Sequence, residues 1–355
     1  MNGKAGFTRR EALAFGGLLT APMLYKPKAL AQTNDYGQDS SLIAAAKKEG
    51  SVVWYTTQII DPLVRDIISA FTKKYGIKVE YYRGNSSDVA LKIQQEGKAG
   101  RIQADVFDGT TSSEALKREG LVERWIPDVA KTFQSDFVDP DGYWVGTNDT
   151  LHSVAINTNL VKIDEAPKSW DDLLDPKFKN RIVWGSTPSV SAAPGFIGLV
   201  LKELGEEKGQ DFIRKFAAQM PTANSGSARA VIDQVIAGEY ALALQMFPDQ
   251  ALTSAARGAP VKWLPLKPAM TAVVSTIAMT KGAPHPNAAK LLYTFIVSEE
   301  GQKFFRESFY IPTNPKVAPI DPDLEPGKFR AIHISPAEAN ASMNKWHGIY
   351  RDVYR

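Results

Sequence analysis

The sequence predicts an α/β protein made of two units, each a mostly parallel sheet flanked by helices. Apolar strand-like segments alternate with amphipathic helix-like segments over residues 42–121, and the alternation starts again near residue 169. Neither a short repeat nor a long linker separates the two stretches. Because strands that alternate with helices join into parallel sheets, this order predicts two lobes with a cleft at the carboxyl ends of their strands.

In the first unit, apolar periodicity and end signals define the elements. Between Leu63 and Tyr75 apolar residues recur every four positions, which predicts an amphipathic helix. Asp61 followed by Pro62 predicts the N-cap and first turn of this helix. The predicted strands are 51–55, 77–82 and 104–107, and the other predicted helices are 42–49, 86–97 and 112–120.

In the second unit, a capping-box pattern from Ser169 to Asp172 predicts the start of a helix. Residues 271–279 are apolar and β-branched, which predicts a central strand. The other predicted strands are 181–185, 240–246 and a segment around Trp263. The predicted helices are 194–204, 208–219, 227–237, 286–297 and 299–306.

The composition excludes several classes of site. There is no cysteine, which excludes disulfides, thiolate metal sites and a lipid-modified N-terminal cysteine. A formal net charge of +3, from 42 basic and 39 acidic residues, is too small and too mixed to indicate nucleic-acid binding. Four histidines leave little for a multi-histidine centre. No apolar run reaches the roughly 20 residues that a membrane-spanning helix needs.

Residues 1–31 have the pattern of an export signal. Arg9-Arg10 precedes an apolar stretch over residues 12–25, and small residues at 29 and 31 predict cleavage near Ala31-Gln32. The paired arginines favour a twin-arginine signal, with a general secretory signal as the alternative. Residues 32–355 then carry a formal net charge of −1 and are expected to be free in the periplasm.

The loops that follow the predicted strands contain the candidate ligand-binding residues. Most of these are small hydroxyl, amide or glycine residues next to predicted helix starts. Free backbone N–H groups and the helix dipole favour an anion at such positions. The candidates are Thr56, Thr57, Arg83, Asn85, Ser86, Asp108, Thr110, Ser186, Thr187, Ser189, Asn224, Ser225 and Asp249.

Each of these loops also has an ordinary structural interpretation, because N-caps use the same residue types. Two lobes that present such loops to one cleft favour a shared anion site. Arg83 could form a bidentate contact with a carboxylate or phosphonate, or a surface salt bridge. Asp108 and Asp249 could bind an amine of the ligand, or cap helices.

Templates for catalysis and metal binding find no match in the sequence. A P-loop, a G-x-S-x-G nucleophile elbow and an H-E-x-x-H motif are all absent. The histidines are scattered, and His152, near the expected crossover between the units, is interpreted as structural. No catalytic residue, metal ligand or cofactor is therefore predicted.

An ordered set of short motifs resembles the type 2 periplasmic solute-binding proteins of ABC importers, in the branch that includes ferric-ion-binding proteins. The similarity extends over nearly all of residues 45–315. Its motifs are VVWY (52–55), YGIKV (75–79), QADVF (103–107), PKFKNRI (176–182), ANS (223–225), GEYA (238–241), EEGQ (299–302) and YIPTNP (310–315).

The resemblance implies two α/β lobes joined by two hinge crossovers. Lobe 1 would contain 32–150 plus 272–320, lobe 2 would contain 151–271, and a C-terminal tail, 321–355, would pack on the lobes. The resemblance also implies that the lobes close on the ligand and that a membrane permease recognises the closed form. A monomer without enzymatic activity is expected.

The metal site of the ferric-binding relatives does not carry over to this sequence. Where those proteins have two consecutive tyrosines, this chain has Phe247-Pro248. The family's histidine falls near Ile60 and its acidic ligand near Thr110, so the hard oxygen ligands that Fe³⁺ needs are missing. The hydroxyl-rich loop 186–190, which resembles the family's anion-holding loop, is retained.

The leading hypothesis is therefore a periplasmic receptor for a small anionic or zwitterionic organic solute that carries a phosphate, phosphonate or carboxylate. One alternative is a ferric-binding protein with non-tyrosine ligands. Others are a secreted enzyme on the same scaffold and a sensor module that reports occupancy to a membrane receptor.

Overall fold

The strands of this protein form one large mixed sheet and one small two-stranded sheet in the computed structural model, which describes residues 33–34, 39–325 and 327–354. The export signal expected at residues 1–31 lies outside the described residues. The strands are β1 (Thr33–Asn34), β2 (Ser51–Thr56), β3 (Lys78–Arg83), β4 (Val106–Gly109), β5 (Ile126–Pro127), β6 (Trp144–Asn157), β7 (Ile182–Gly185), β8 (Thr222–Asn224), β9 (Leu242–Met246), β10 (Val261–Leu264), β11 (Met270–Met279), β12 (Ile311–Pro312) and β13 (Ala331–His333).

Helices flank this sheet, and within the described ranges none is long and apolar enough to cross a membrane. They are α1 (Ser40–Glu49), α2 (Arg65–Tyr75), α3 (Ser86–Lys98), α4 (Ser112–Arg118), α5 (Ala193–Leu204), α6 (Glu206–Ala217), α7 (Ala228–Ile236), α8 (Pro248–Ala256), α9 (Pro286–Val297), α10 (Glu299–Glu307) and α11 (Pro336–Val353).

Two long strands, β6 and β11, connect two groups of parallel strands. Across the large sheet the order is β3, β2, β4, β11, β6, β9, β7, β8. Strands β2, β3 and β4 pair in parallel at one end, and β7, β8 and β9 do so at the other. The pairs that β6 and β11 make with each other, with β4 and with β9 are antiparallel. The predicted two-lobed α/β fold with two crossovers is confirmed.

The buried apolar residues fall into separate groups on the two lobes. One group contains Trp54, Phe71 and Phe295 and draws on residues before 146 and after 276. A second group is centred on Trp184 and Phe196 and draws mainly on the middle of the chain. The C-terminal helix α11 also joins this second group, because it packs against α5.

Two predicted helix starts differ from the structure. Asp61 does not cap α2, because it lies in a wide turn, Ile60–Val64, that precedes the helix, and its carboxylate pairs with the Arg65 side chain at the start of α2. Ser169 and Asp172 do make the reciprocal bonds of a capping box, at 2.9 and 3.3 Å. Only a single 3₁₀ turn follows, because Pro176 disfavours the helical conformation at residue 175.

Besides helix α8 and the short strands β1, β5, β8, β12 and β13, two longer elements have no counterpart among the predictions. The 14-residue strand β6 carries polar residues on its cleft-facing stretch, which hides its strand character. The 18-residue helix α11 lies in the segment expected only to pack as a tail. Both elements turn out to line the cleft.

Candidate functional site

A polar cavity of about 510 Å³, here called the polar compartment, lies at the carboxyl ends of the parallel strands. Its volume falls within the range of about 300–1,000 Å³ that is usual for small-molecule sites. It is lined by Thr57, Gln58, Asn85, Ser86, Ser87, Thr110, Thr111, Asn148, Thr150, Phe247, Asp249, Gln250, Ser275 and Tyr310. None of these fourteen described lining residues is Lys or Arg.

The first wall is formed by the start of α3 and the loop after β4. The Ser86 hydroxyl accepts a hydrogen bond from the Thr110 backbone N–H at 2.9 Å, which ties the two segments together. Gly109, at φ +151°, permits this approach: a Cβ there would lie 2.6 Å from the Ser86 Oγ and from the Ser112 Oγ. The wall therefore presents hydroxyl groups and the amino-terminal end of a 13-residue helix.

Asp108 supports this wall from behind. Its carboxylate is fully buried and accepts hydrogen bonds from Trp54 Nε1 at 2.8 Å and from the backbone N–H and hydroxyl of Thr57, both at 2.7 Å. Burial raises the pKa of Asp108, and these hydrogen bonds oppose that rise. Asp108 thus orients Thr57 towards the compartment and does not itself line it.

The opposite wall carries Asp249, the one carboxyl group among the described lining residues. Asp249 lies in the first turn of α8, after Phe247 and Pro248. Burial raises the pKa of Asp249 to about 6, although the backbone N–H groups of Asp249 and Gln250 oppose the shift. At neutral pH the carboxylate is therefore mostly ionised, and it attracts a cationic group of the ligand.

The loop after β7 continues this wall. Gln245 Nε2 donates to the Val190 carbonyl at 3.1 Å and so holds the loop against β9. A Cβ at Gly195 would lie 1.8 Å from the same carbonyl oxygen, so only glycine allows the loop to pack on α5. This packing brings Ser189 to the cleft beside the polar compartment.

The floor consists of side chains from the two connecting strands. Gln58 Nε2 donates to Asn148 Oδ1 at 3.2 Å and to the Ser275 hydroxyl at 3.1 Å. These bonds join the end of β2 to β6 and β11. Tyr310 completes this side; burial and the negative charges of Asp249 and Asp108 raise its phenol pKa, so the phenol stays protonated at neutral pH.

The structure brings together only part of the predicted residue set. Thr57, Asn85, Ser86, Thr110 and Asp249 line the polar compartment, and Ser189 lines the adjoining cavity. The remaining candidates do not line either cavity: they are Thr56, Arg83, Asp108, Ser186, Thr187, Asn224 and Ser225.

Physical reasons for these exclusions can be given for several residues. Thr56 is fully buried below the wall. Asn224 uses its side chain locally, since it donates to Gln234 at 2.6 Å and accepts from the Gly226 N–H at 2.7 Å. Arg83 is exposed at the end of β3, close enough to Tyr310 for its charge to lower the phenol pKa.

The residues of the floor were not among the candidates predicted from the sequence. Asn148 and Thr150 lie in a run of four consecutive polar residues in β6, and Ser275 lies beside Thr276 in the largely apolar strand β11, so neither segment shows the polar–apolar alternation of a half-buried strand. Gln58 follows two candidate residues directly, and Tyr310 stands in a motif that carried the family resemblance. These residues meet only because β6 and β11 pair in the middle of the sheet.

Comparisons with known proteins agree with this architecture. Over 85% of its length the chain is 26% identical to a Salmonella typhimurium periplasmic protein provisionally named for binding 2-aminoethylphosphonate, of which 89% is covered. It is also 26% identical to the Fe(3+)-binding periplasmic protein of Serratia marcescens, over 82% of this chain and 88% of the relative.

A solved structure shows the same fold. The structure of the periplasmic binding protein AfuA from Actinobacillus pleuropneumoniae, with exogenous fructose-6-phosphate bound, aligns with a TM-score of 0.68 at 21% identity, over 85% of this chain and 99% of AfuA. Residues 102–332, well over half of the chain, match the family described as bacterial extracellular solute-binding protein. The chain therefore belongs to the bacterial extracellular solute-binding proteins, and its fold is that of the type 2 periplasmic binding proteins.

Proposed function

We propose that this protein is the periplasmic solute-binding component of an ABC importer and that it captures a small anionic or zwitterionic organic solute. Its family, its two-lobed fold and the periplasmic relatives support this function. A membrane permease is the partner that such a component requires. The export signal over residues 1–31, of twin-arginine type, would deliver the protein to the periplasm.

The two walls of the polar compartment differ chemically, and this difference is the observation that supports the proposed class of ligand. Hydroxyl groups and the amino-terminal end of α3 form one wall, which favours an anionic group. The Asp249 carboxylate stands on the other wall, which favours an amine. A solute that carries a phosphonate, phosphate or carboxylate together with an amine satisfies both walls at once.

Binding would bring the two lobes together around this solute. We assign lobe 1 to residues 32–150 plus 272–320 and lobe 2 to 151–271, with β6 and β11 as the hinge. The separate apolar cores support this division. The C-terminal segment 321–355 is assigned to lobe 2, because α11 shares the core around Trp184.

A ferric site is the competing proposal, since one relative is named for Fe(3+) binding. Two observations weigh against it. By the family resemblance, Phe247 and Pro248 stand in place of the tyrosine pair of the ferric-binding proteins, and neither side chain offers an oxygen ligand. Within the described ranges, no group of three or more His, Asp or Glu side chains is arranged to hold a metal ion.

Thermal unfolding and calorimetric titration of the purified protein, freed of co-purified solute by unfolding and refolding, test the proposal. The panel contains 2-aminoethylphosphonate, methylphosphonate, fructose-6-phosphate, glutamate, glucose and ferric citrate. A true ligand at 100 times its dissociation constant stabilises the fold by about 2.7 kcal/mol. We expect this from an organic anion or zwitterion. Stabilisation by glucose or by ferric ion alone would refute the ligand class.

A further inference from the structure

A second cavity, here called the apolar compartment, adjoins the polar compartment. It has a volume of about 380 Å³, and its apolar lining comes mainly from Val190, Val273, Phe247, Ile334, Ala339 and Met343. The two compartments share Thr110, Thr111, Thr150 and Phe247 as lining residues, so they are continuous.

The C-terminal segment builds one wall of the apolar compartment. Strand β13 pairs in parallel with β11 over Met270–Ala272, which brings Ile334 to the cleft. Helix α11 then packs on α5, where Gly198 leaves room for the Trp346 ring: a Cβ there would lie 2.6 Å from it. This seating fixes Ala339 and Met343 at the cavity, and all three lining residues lie beyond residue 332, where the family match ends.

The lining of this compartment carries no net charge. Neither Asp, Glu, Lys nor Arg occurs among its described lining residues. His152, which is 2% exposed, packs its ring 4.7 Å from the Phe247 ring. Burial lowers the pKa of His152 to about 4, so the ring is neutral at physiological pH. A charged group placed here would lose hydration and find hydroxyl groups but no side chain of opposite charge, whereas a hydrocarbon group would gain by burial against the apolar lining.

We propose that the apolar compartment selects the hydrocarbon or aromatic part of the same solute whose charged group occupies the polar compartment. The inference rests on the proposed function, and it narrows the solute class to organic anions or zwitterions with an uncharged apolar substituent. The C-terminal segment β13–α11 is then the specificity-determining wall of the site.

Titration calorimetry with methylphosphonate, butylphosphonate and phenylphosphonate tests this selection, because the three share one anionic group. Each buried methylene should improve affinity roughly fourfold. We therefore expect the butyl and phenyl compounds to bind at least tenfold more tightly than the methyl compound. Equal affinities of all three compounds would overturn the proposal.

Two substitutions on α11 form a matched pair. Ala339→Phe fills the compartment and should therefore remove most of the difference between the butylphosphonate and methylphosphonate affinities. Ala341→Phe adds the same ring at an exposed position of the same helix and should change neither affinity.

If Ala339→Phe fails to fold, Met343→Ala removes apolar contacts without adding bulk. It should lower the ratio of the butylphosphonate affinity to the methylphosphonate affinity at least threefold. The proposal would be overturned if a substitution weakened methylphosphonate and butylphosphonate binding equally, or if it left the ratio of their affinities unchanged.

A second readout does not depend on the anion site. In protein labelled with ¹³C at the methionine methyl groups, the Met343 signal is assigned by its loss in Met343→Leu. Millimolar benzyl alcohol should shift this signal. If the Met343 signal shifts but no phosphonate binds, the apolar compartment is supported as a binding site and the anion-binding function is refuted. If the signal does not shift, the proposal for the apolar compartment is overturned, whatever the phosphonate affinities are.

Discussion

Replacing Asp249 with Asn tests the zwitterion hypothesis at the residue that carries it. Two opposite charges at about 3 Å interact by about 1.4 kcal/mol in water and by about 5.5 kcal/mol at an effective dielectric constant of 20. Asp249 lies partly exposed on a cavity wall, between these limits. We therefore expect Asp249→Asn to weaken 2-aminoethylphosphonate binding by about 2 kcal/mol, or roughly 30-fold.

Ethylphosphonate is the matched ligand, because it lacks only the amine. The substitution removes a negative charge from the compartment, so ethylphosphonate should bind Asp249→Asn no more weakly than the unmodified protein. Titration calorimetry at constant ionic strength measures both ligands against both proteins. An equal loss for the two ligands, or no loss for the amine-bearing one, would refute the assignment of Asp249.

The pH dependence provides an independent check on the same carboxyl group. With a pKa of about 6, Asp249 is roughly 90% ionised at pH 7 and roughly 10% at pH 5. The contribution of Asp249 to the affinity for 2-aminoethylphosphonate should therefore fall about tenfold between pH 7 and pH 5. The titration of the ligand itself cancels when the affinities of the unmodified protein and of Asp249→Asn for this one ligand are compared at the same pH. The ratio of these two affinities should fall about tenfold between pH 7 and pH 5; an unchanged ratio would assign the effect to another group.

Three further predictions concern residues around the cleft. Arg83→Ala should change the affinity for methylphosphonate less than threefold, because Arg83 does not line the compartment; a tenfold loss would place Arg83 in the site. Asp108→Ala should lower the free energy of unfolding in urea by about 3 kcal/mol or more, because buried donors lose their acceptor; a loss under 1 kcal/mol would contradict this. The third prediction concerns stability against pH. Burial opposes protonation of His333, but its hydrogen bond to Asp149 raises the His333 pKa overall. The resulting stabilisation should be complete below about pH 6.5 and lost as the pH rises through the folded-state pKa. His333→Gln should remove this slope from the unfolding temperature, with His347→Gln as the control; an unchanged slope would refute the contact.

Local patterns were sufficient for most helices and strands. The apolar positions between Leu63 and Tyr75 form the buried face of α2, as their spacing predicts. The 271–279 segment is the central strand β11. Such elements depend on side-chain periodicity and on glycine or proline at their ends, which neighbouring residues determine. The predicted N-cap at Asp61 is wrong, because aspartate also suits an extended turn in which its carboxylate pairs with a nearby arginine.

The site was predicted less completely, for a different reason. Candidate residues were chosen because they follow strands, and this rule found both walls of the polar compartment. The rule could not identify Asn148 or Ser275, because these residues lie inside strands. It could not identify the contribution of α11 either, because α11 lies more than a hundred residues along the chain from the loop 188–191 that it faces. Contacts of this kind depend on strand order, and strand order is not a local property.

The alternating α/β order, the two lobes, the family and the placement of polar loops at the ends of strands all follow from local sequence patterns. The role of each polar side chain in those loops follows only from the packing of distant segments. Asp108 directly follows the predicted strand 104–107 and Asp249 closely follows the predicted strand 240–246, so by sequence both could bind an amine. One is buried against Trp54 and Thr57 and supports the wall, whereas the other faces the cavity. The difference arises from which neighbours pack over each carboxylate, and that packing depends on segments far apart in the chain.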